Sequence, residues 1–282
     1  MKKVSIGVLI LVAISFFGCG STSKITADAK PNIKSVRISA HRGGPVAGFP
    51  ENALETLINT SKNVKGIMME IDVAPTFDGV LVLMHDKKLD RTTNLTGFLK
   101  DYSLEAIKDG FLLNEDNELT NFKVPTLKEI FNWIQNENVY LSLDMKDKTI
   151  FHQVVDLINQ FEVREKTEVI TYSLSDAEYV HDYDPEINLS VSAGSEEVLN
   201  KLLNAKINTS KVSVFTGLTL KKKEFYQSVR NHGMTVTLGT IGNLDNKAKA
   251  RGFQVFNNWN KLGINRYATD YYVEVNNAIS KK

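Results

Sequence analysis

The chain has 282 residues, of which 42% are hydrophobic and 24% charged, with a formal net charge of +1. That is enough for one large α/β domain or two small ones, with a core that needs no disulfide or structural metal to hold it. The balanced charge, without a clustered basic excess, excludes a nucleic-acid-binding role, and nothing in the pattern predicts a protein partner. In chain order, Met1-Lys2-Lys3 is a short positive segment, and residues 4–17 are apolar apart from Ser5, Gly7 and Ser15. Such a run is shorter than the about 20 residues of a membrane span. It reads as a signal peptide over 1–18, followed by a flexible polar tether over 19–34 and one domain over 35–282. Cys19 is the only cysteine, so no intrachain disulfide can form.

Gly18-Cys19 resembles the end of a bacterial lipoprotein signal, although Phe16 and Phe17 depart from the usual upstream residues. The expectation is an exported protein held to a membrane, at the periplasmic or cell surface, by a lipidated Cys19. From residue 36 onward, short β-rich runs alternate with amphipathic stretches. Strands are predicted over 36–40, 67–73, 139–145, 168–172, 188–191, 211–215, 234–238 and 266–269. Helices are predicted over 52–62, 127–135, 150–161, 175–182, 196–204, 221–231 and 247–261. Alternation of this kind argues for parallel strands with crossover helices, and eight strands is the count of a closed (β/α)8 barrel.

Residues 80–84 break the alternation, because a strand so soon after 67–73 can only pair antiparallel. With Asp78-Gly79 as a two-residue turn, Phe77 would face Val80, and Asp72 would lie opposite His85 and beside Glu70. Pro75 has no N–H to give and should occupy a position that needs none. Residues 87–123 do not fit the barrel period and read as a small helical insertion near the barrel mouth.

Five groups of residues carry chemistry. His41-Arg42-Gly43-Gly44 follows the first strand, where barrel active sites lie. It is either a phosphate-handling turn or a glycine turn with a surface histidine. Glu51, in Pro50-Glu51-Asn52, either answers the dipole of a helix start or supports a metal or histidine nearby. Glu70 and Asp72 share one face of a buried strand, as ligands of a hard cation or as members of buried salt bridges. His85-Asp86 offers a titrating ring near neutrality, or a loop histidine held by its neighbour. Asp144 and Lys146 share a strand end, as a third ligand with a phosphate-binding ammonium or as an internal ion pair.

Taken in order, His41-Arg42-Gly43, Pro50-Glu51-Asn52, Glu70-Ile71-Asp72-Val73, Asp78-Gly79, His85-Asp86, Arg91-Thr92-Thr93, Val124-Pro125-Thr126-Leu127 and Thr269-Asp270 resemble the glycerophosphodiester phosphodiesterases. The resemblance implies a TIM barrel of the phosphatidylinositol phospholipase C type with a small insertion. It implies His41 and His85 as acid and base. Glu70, Asp72 and Asp144 would hold one divalent cation, Ca2+ or Mg2+, and Arg42 and Lys146 would contact the phosphate. The implied reaction takes a glycerophosphodiester to glycerol 3-phosphate and an alcohol. Three features depart from the family pattern: Asp144 stands where Glu is usual, residues 44–49 are longer, and Leu238-Gly239-Thr240-Ile241 replaces a Trp-Thr-Val-Asn stretch. Other readings are a phospholipase D-like or sphingomyelinase D-like enzyme on intact lipids, a non-catalytic phosphodiester-binding barrel, and a sugar-active barrel. The last of these is disfavoured by the adjacent Arg42 and Lys146.

Overall fold

The computed structural model describes residues 32–280. The signal peptide, Cys19 and most of the expected tether therefore lie outside the described residues. Eight parallel strands close on one another in the order β1 (Ile38–Ala40), β2 (Met68–Pro75), β4 (Tyr140–Met145), β5 (Thr167–Thr171), β6 (Leu189–Ser192), β7 (Val212–Phe215), β8 (Thr235–Gly239) and β9 (Arg266–Thr269). Pairing of β1 with both β9 and β2 closes the ring, and β3 (Leu81–Leu83) hangs antiparallel on β2. The expected TIM barrel is present.

The strand sequences explain the layering. In β4, Leu141, Leu143 and Met145 join the apolar shell beneath the helices, while the alternate residues Ser142 and Asp144 face the barrel axis. The same period turns Ser39, Glu70, Glu168, Ser190 and Arg266 inward. The interior is therefore polar, where apolar layers are usual. Its lower part is tied by Arg266, whose Nη1 lies 2.9 Å from both oxygens of Glu168. Ser142 and Ser213 also donate to that carboxylate, at 3.0 and 3.1 Å. The guanidinium further donates to the carbonyls of Ile33 and Val36. Ile33 is buried, and Ile33–Ser35 forms a turn of 3-10 helix against the strand starts. Residues 32–34, expected in the tether, thus belong to the barrel.

The hairpin register corrects the expectation. Val73 pairs with Leu83 and Ala74 with Val82, so Asp72 faces Met84 and not His85. The loop has three residues, Phe77-Asp78-Gly79, with Gly79 at φ +76°. That is the geometry of a type I turn followed by a left-handed residue. One extra loop residue moves the pairing by one and exchanges the faces of the strand. Thr76 N–H to Val80 and Met84 N–H to Asp72 mark the hydrogen-bonded pairs. Pro75, opposite Leu81, falls between them and loses no bond.

The insertion is less helical than expected. It holds one six-residue helix, α2 (Leu104–Asp109), a 3-10 turn at Leu99–Asp101 and isolated bridges such as Thr93 to Leu112. Order comes from its own small core of Val82, Met84, Leu89, Leu99, Ile107 and Leu112. Phe49 stacks on Phe122 with centroids 5.9 Å apart, fastening the long 44–49 segment to the insertion. The helix expected over 247–261 is two, α8 (Asn243–Arg251) and α9 (Val255–Asn260), broken at Gly252 with φ +92°. A final helix, α10 (Tyr272–Ser280), was not among those expected. Among the described residues, no helix is long and apolar enough to cross a membrane.

Candidate active site

Glu70 and Asp72 on β2 and Asp144 on β4 bring carboxylate oxygens within 4.8 Å of one another. The β2–β4 ladder places them, pairing Glu70 with Ser142 and Asp72 with Asp144. Burial, and then the facing Asp72 carboxylate, hold the Glu70 carboxyl well above the usual carboxylate range. Asp144 Oδ1 is buried without any hydrogen-bond partner. Its Oδ2 accepts from Tyr172 at 2.7 Å and from Lys146 at 2.6 Å. Burial and the Asp144 charge push the Tyr172 phenol up. Lys146 also reaches Asp72 Oδ1 at 2.8 Å. Desolvation works against this ammonium, but Asp72 and Asp144 outweigh it and raise its pKa. The donor set fits a hard divalent cation: three carboxylates, one with an orphaned oxygen, clustered where a positive charge already sits.

Lys146 therefore has another position than the one expected. Its ammonium is engaged by the acids, as in the internal ion-pair reading, although it also lines a groove beside His85. The expected partners of Glu51 also change. Its carboxylate accepts from Arg42 at 2.9 Å and from both terminal nitrogens of Arg91 at 2.8 Å, and it touches neither histidine nor the acidic cluster. Burial raises the Glu51 carboxyl, but the two arginines more than offset this and leave it lowered.

Both histidines are held by aspartates. His41 Nδ1 is 2.8 Å from Asp270 Oδ1, and His85 Nδ1 is 2.6 Å from Asp86 Oδ1. Arg42 donates through Nη2 to His85 Nε2 at 2.8 Å. An accepting Nε2 places the ring proton on Nδ1, facing the carboxylate. Asp86 is itself clamped by Arg91 Nε at 2.6 Å, and chiefly that bond holds its carboxyl far below the usual range. Arg42 links the site. Its N–H donates to Glu70 at 2.8 Å, its side chain joins His85 to Glu51, and its backbone is left-handed at φ +50°. Such a conformation costs an arginine of order 1 kcal/mol and persists only where the surroundings impose it. Gly43 must follow, since a Cβ there would lie 2.7 Å from Leu57 Cδ2 at φ +85°.

Asn52 and Asp270 stand within the motifs without an expected role, whereas Asp86 holds the His85 ring, as its loop reading has it, and Arg91 clamps Asp86. Asn52, buried at φ +57°, gives Asp72 a bond from its amide nitrogen at 2.7 Å and accepts the Asp72 N–H at 3.0 Å. Tyr172 had no signal beyond its place at a strand end. In the interior cavity of about 140 Å3, Phe215 and Ile241 line the wall near the replaced aromatic stretch. Phe215 comes within 2.8 Å of where a side chain at Gly239 would begin. The aromatic lining of the cavity thus comes from Phe215 on β7 and from Tyr172 just after β5.

Residues 41–257 match the glycerophosphoryl diester phosphodiesterase family. The chain belongs to that family. A glycerophosphodiester phosphodiesterase from Bacillus altitudinis is 31% identical over 165 residues, 55% of this chain and 65% of that protein. The human glycerophosphodiester phosphodiesterase 1 is 40% identical over 119 residues, 39% of this chain and 34% of that one. The chain thus matches less than two thirds of these relatives' own length. Among solved structures, a glycerophosphoryl diester phosphodiesterase from Parabacteroides distasonis superposes with a TM-score of 0.80 at 25% identity, covering 90% of this chain and 88% of that one. An Oleispira antarctica phosphodiesterase in complex with the product sn-glycerol-3-phosphate superposes with a TM-score of 0.69 at 18% identity, over 87% and 97% of the two chains. These likenesses support the barrel and its family, whose members are phosphoric diester hydrolases.

Proposed function

We propose that this chain hydrolyses glycerophosphodiesters to glycerol 3-phosphate and an alcohol, with a divalent cation held by Glu70, Asp72 and Asp144. The observation that carries the reading is a pair of histidine–aspartate couples, His41–Asp270 and His85–Asp86, linked through Arg42 to three clustered carboxylates. The Oleispira antarctica product complex supports the choice of a glycerol phosphate product.

When bound, calcium or magnesium would offset negative charge on the phosphoryl oxygens. Arg42 turns its fork from His85 to the phosphate, held at its other side by Glu51. Lys146, drawn to the same cluster, supplies a point charge. One imidazole Nε2 takes the proton of the attacking hydroxyl, the substrate's own glycerol hydroxyl or water. The other gives a proton to the oxygen that leaves as the P–O bond breaks. Where the glycerol hydroxyl attacks, water then opens the cyclic diester and the two rings exchange roles. Asp270 and Asp86 keep each Nδ1 protonated, so that Nε2 faces the substrate.

Release of glycerol 3-phosphate from a panel of soluble diesters, with calcium or magnesium added, tests this. EDTA should abolish turnover, and His41→Asn or His85→Asn should each lower kcat by roughly 10²- to 10⁴-fold. Hydrolysis untouched by EDTA, or retained in the double variant, would remove the metal or the acid–base assignment. Faster cleavage of micellar phospholipid than of soluble diester would favour the phospholipase reading. We also propose export and lipid anchoring at Cys19, supported by the basic start, the apolar run and the single cysteine. Cys19→Ser should move the protein from the membrane fraction to the soluble one.

A further inference from the structure

Two cavities open on either side of the reacting groups. The interior one, about 140 Å3, is lined by His41, Glu70 and Asp144. The other, about 430 Å3, lies beneath the insertion and is lined by His85 and Lys146. They adjoin across the Lys146–Asp144 ion pair, so each histidine serves a different cavity. At about 30 Å3 per water, the interior cavity holds roughly five waters, which suits a glycerol unit and not an acyl chain. The variable alcohol of a soluble diester then belongs in the larger groove.

The unpaired charge of that groove is predominantly positive, two ammonium groups against the carboxylate of Asp147. Lys87 and Lys100 line it, both exposed, and neither ammonium has a carboxylate partner among the described residues. The Lys88 and Lys100 ammonium groups lie 5.1 and 5.9 Å from the ring centre of Phe98. Of the groove's acids, Asp86 is taken up by His85 and Arg91, and Asp147 caps the turn at Thr149. Phe98, the groove's one aromatic side chain, stands alone with ammonium groups near its ring, so the acid-lined aromatic cage that would receive a quaternary ammonium is missing among the described residues.

Resting on the function proposed above, we propose that this groove selects diesters whose leaving alcohol carries negative charge, such as a phosphorylated polyol, and disfavours choline. Lys87 and Lys100 are its specificity residues. In the step itself, the bond from phosphorus to the alcohol oxygen breaks, and that oxygen takes its proton from His85. A new P–O bond forms from the attacking hydroxyl, whose proton goes to His41.

The test compares kcat/KM for glycerophosphoglycerol, its terminally phosphorylated form and glycerophosphocholine. The wild-type order should be phosphorylated, then neutral, then choline, with at least about tenfold between the extremes and a gap that narrows as salt is added. In Lys87→Glu/Lys100→Glu the order of the charged substrates should reverse. Lys87→Gln/Lys100→Gln, a milder change at the same exposed positions, should abolish the preference without reversing it. Choline as the best wild-type substrate, or an order unmoved by either double variant, overturns the proposal. If no diester is cleaved, the parent function falls instead. Calorimetric binding of the phosphorylated diester then decides the groove, tighter in wild type than in the reversed variant if the assignment holds and equal in both if it does not.

Discussion

Asn52 does for an acid what Asp270 and Asp86 do for the histidines: it fixes which way a functional atom points. Both of its amide atoms are committed to Asp72, and it holds a left-handed backbone to reach them. Asn52→Ala should leave a buried carboxylate short of a donor, costing roughly 1–3 kcal/mol by denaturant unfolding. It should also weaken calcium or magnesium binding about 10- to 100-fold by calorimetry. Asp270→Asn should keep the fold yet lower kcat by roughly 10²-fold or more, because an amide no longer requires a proton on His41 Nδ1. Arg91 binds Glu51 and Asp86, whose carboxyls both lie below their ordinary values. Groups lowered on folding stabilise fully above the unfolded carboxyl range near about pH 4 and lose that contribution as pH falls toward the folded values. The Tm deficit of Arg91→Leu should therefore be constant from about pH 7 to 5 and shrink below about pH 4. The acids and histidines were legible because their residue types and spacing carry the chemistry. The supports were not, since Asn52 acts through a backbone conformation and Asp270 through barrel closure.

The hairpin teaches the same lesson at the level of elements. Its existence followed from the short gap between strands, but its register depended on whether Gly79 ends a two- or three-residue loop, and Asp78-Gly79 is compatible with both. His85 nevertheless reaches the site, because it stands just beyond the last hydrogen-bonded pair, Asp72 with Met84, and is directed by Arg42 and Asp86 instead of by the ladder. The helix expected over 247–261 likewise runs through Gly252, where a positive φ breaks it in two. Two glycine substitutions separate backbone from packing. Gly79→Ala meets no atom within 4 Å and should cost only the left-handed penalty, about 1–2 kcal/mol. Gly43→Ala adds an overlap with Leu57 and should cost more, by about 1–3 kcal/mol, with a larger loss of activity because Arg42 precedes it.

Across the whole molecule, strand count and alternation were enough to anticipate the barrel, but not its polar interior. The serines of the inner face gain their meaning from Glu168, to which Ser142 and Ser213 donate. Arg266→Met should destabilise by about 3–5 kcal/mol, leaving Glu168 charged and unpaired at the axis. Adding Glu168→Gln should recover much of that loss, measured as the urea midpoint of each variant. The same arginine fixes where the domain leads off. By gripping the carbonyls of Ile33 and Val36, it seats residues 33–36 beneath the strand starts, at the pole opposite the catalytic rim.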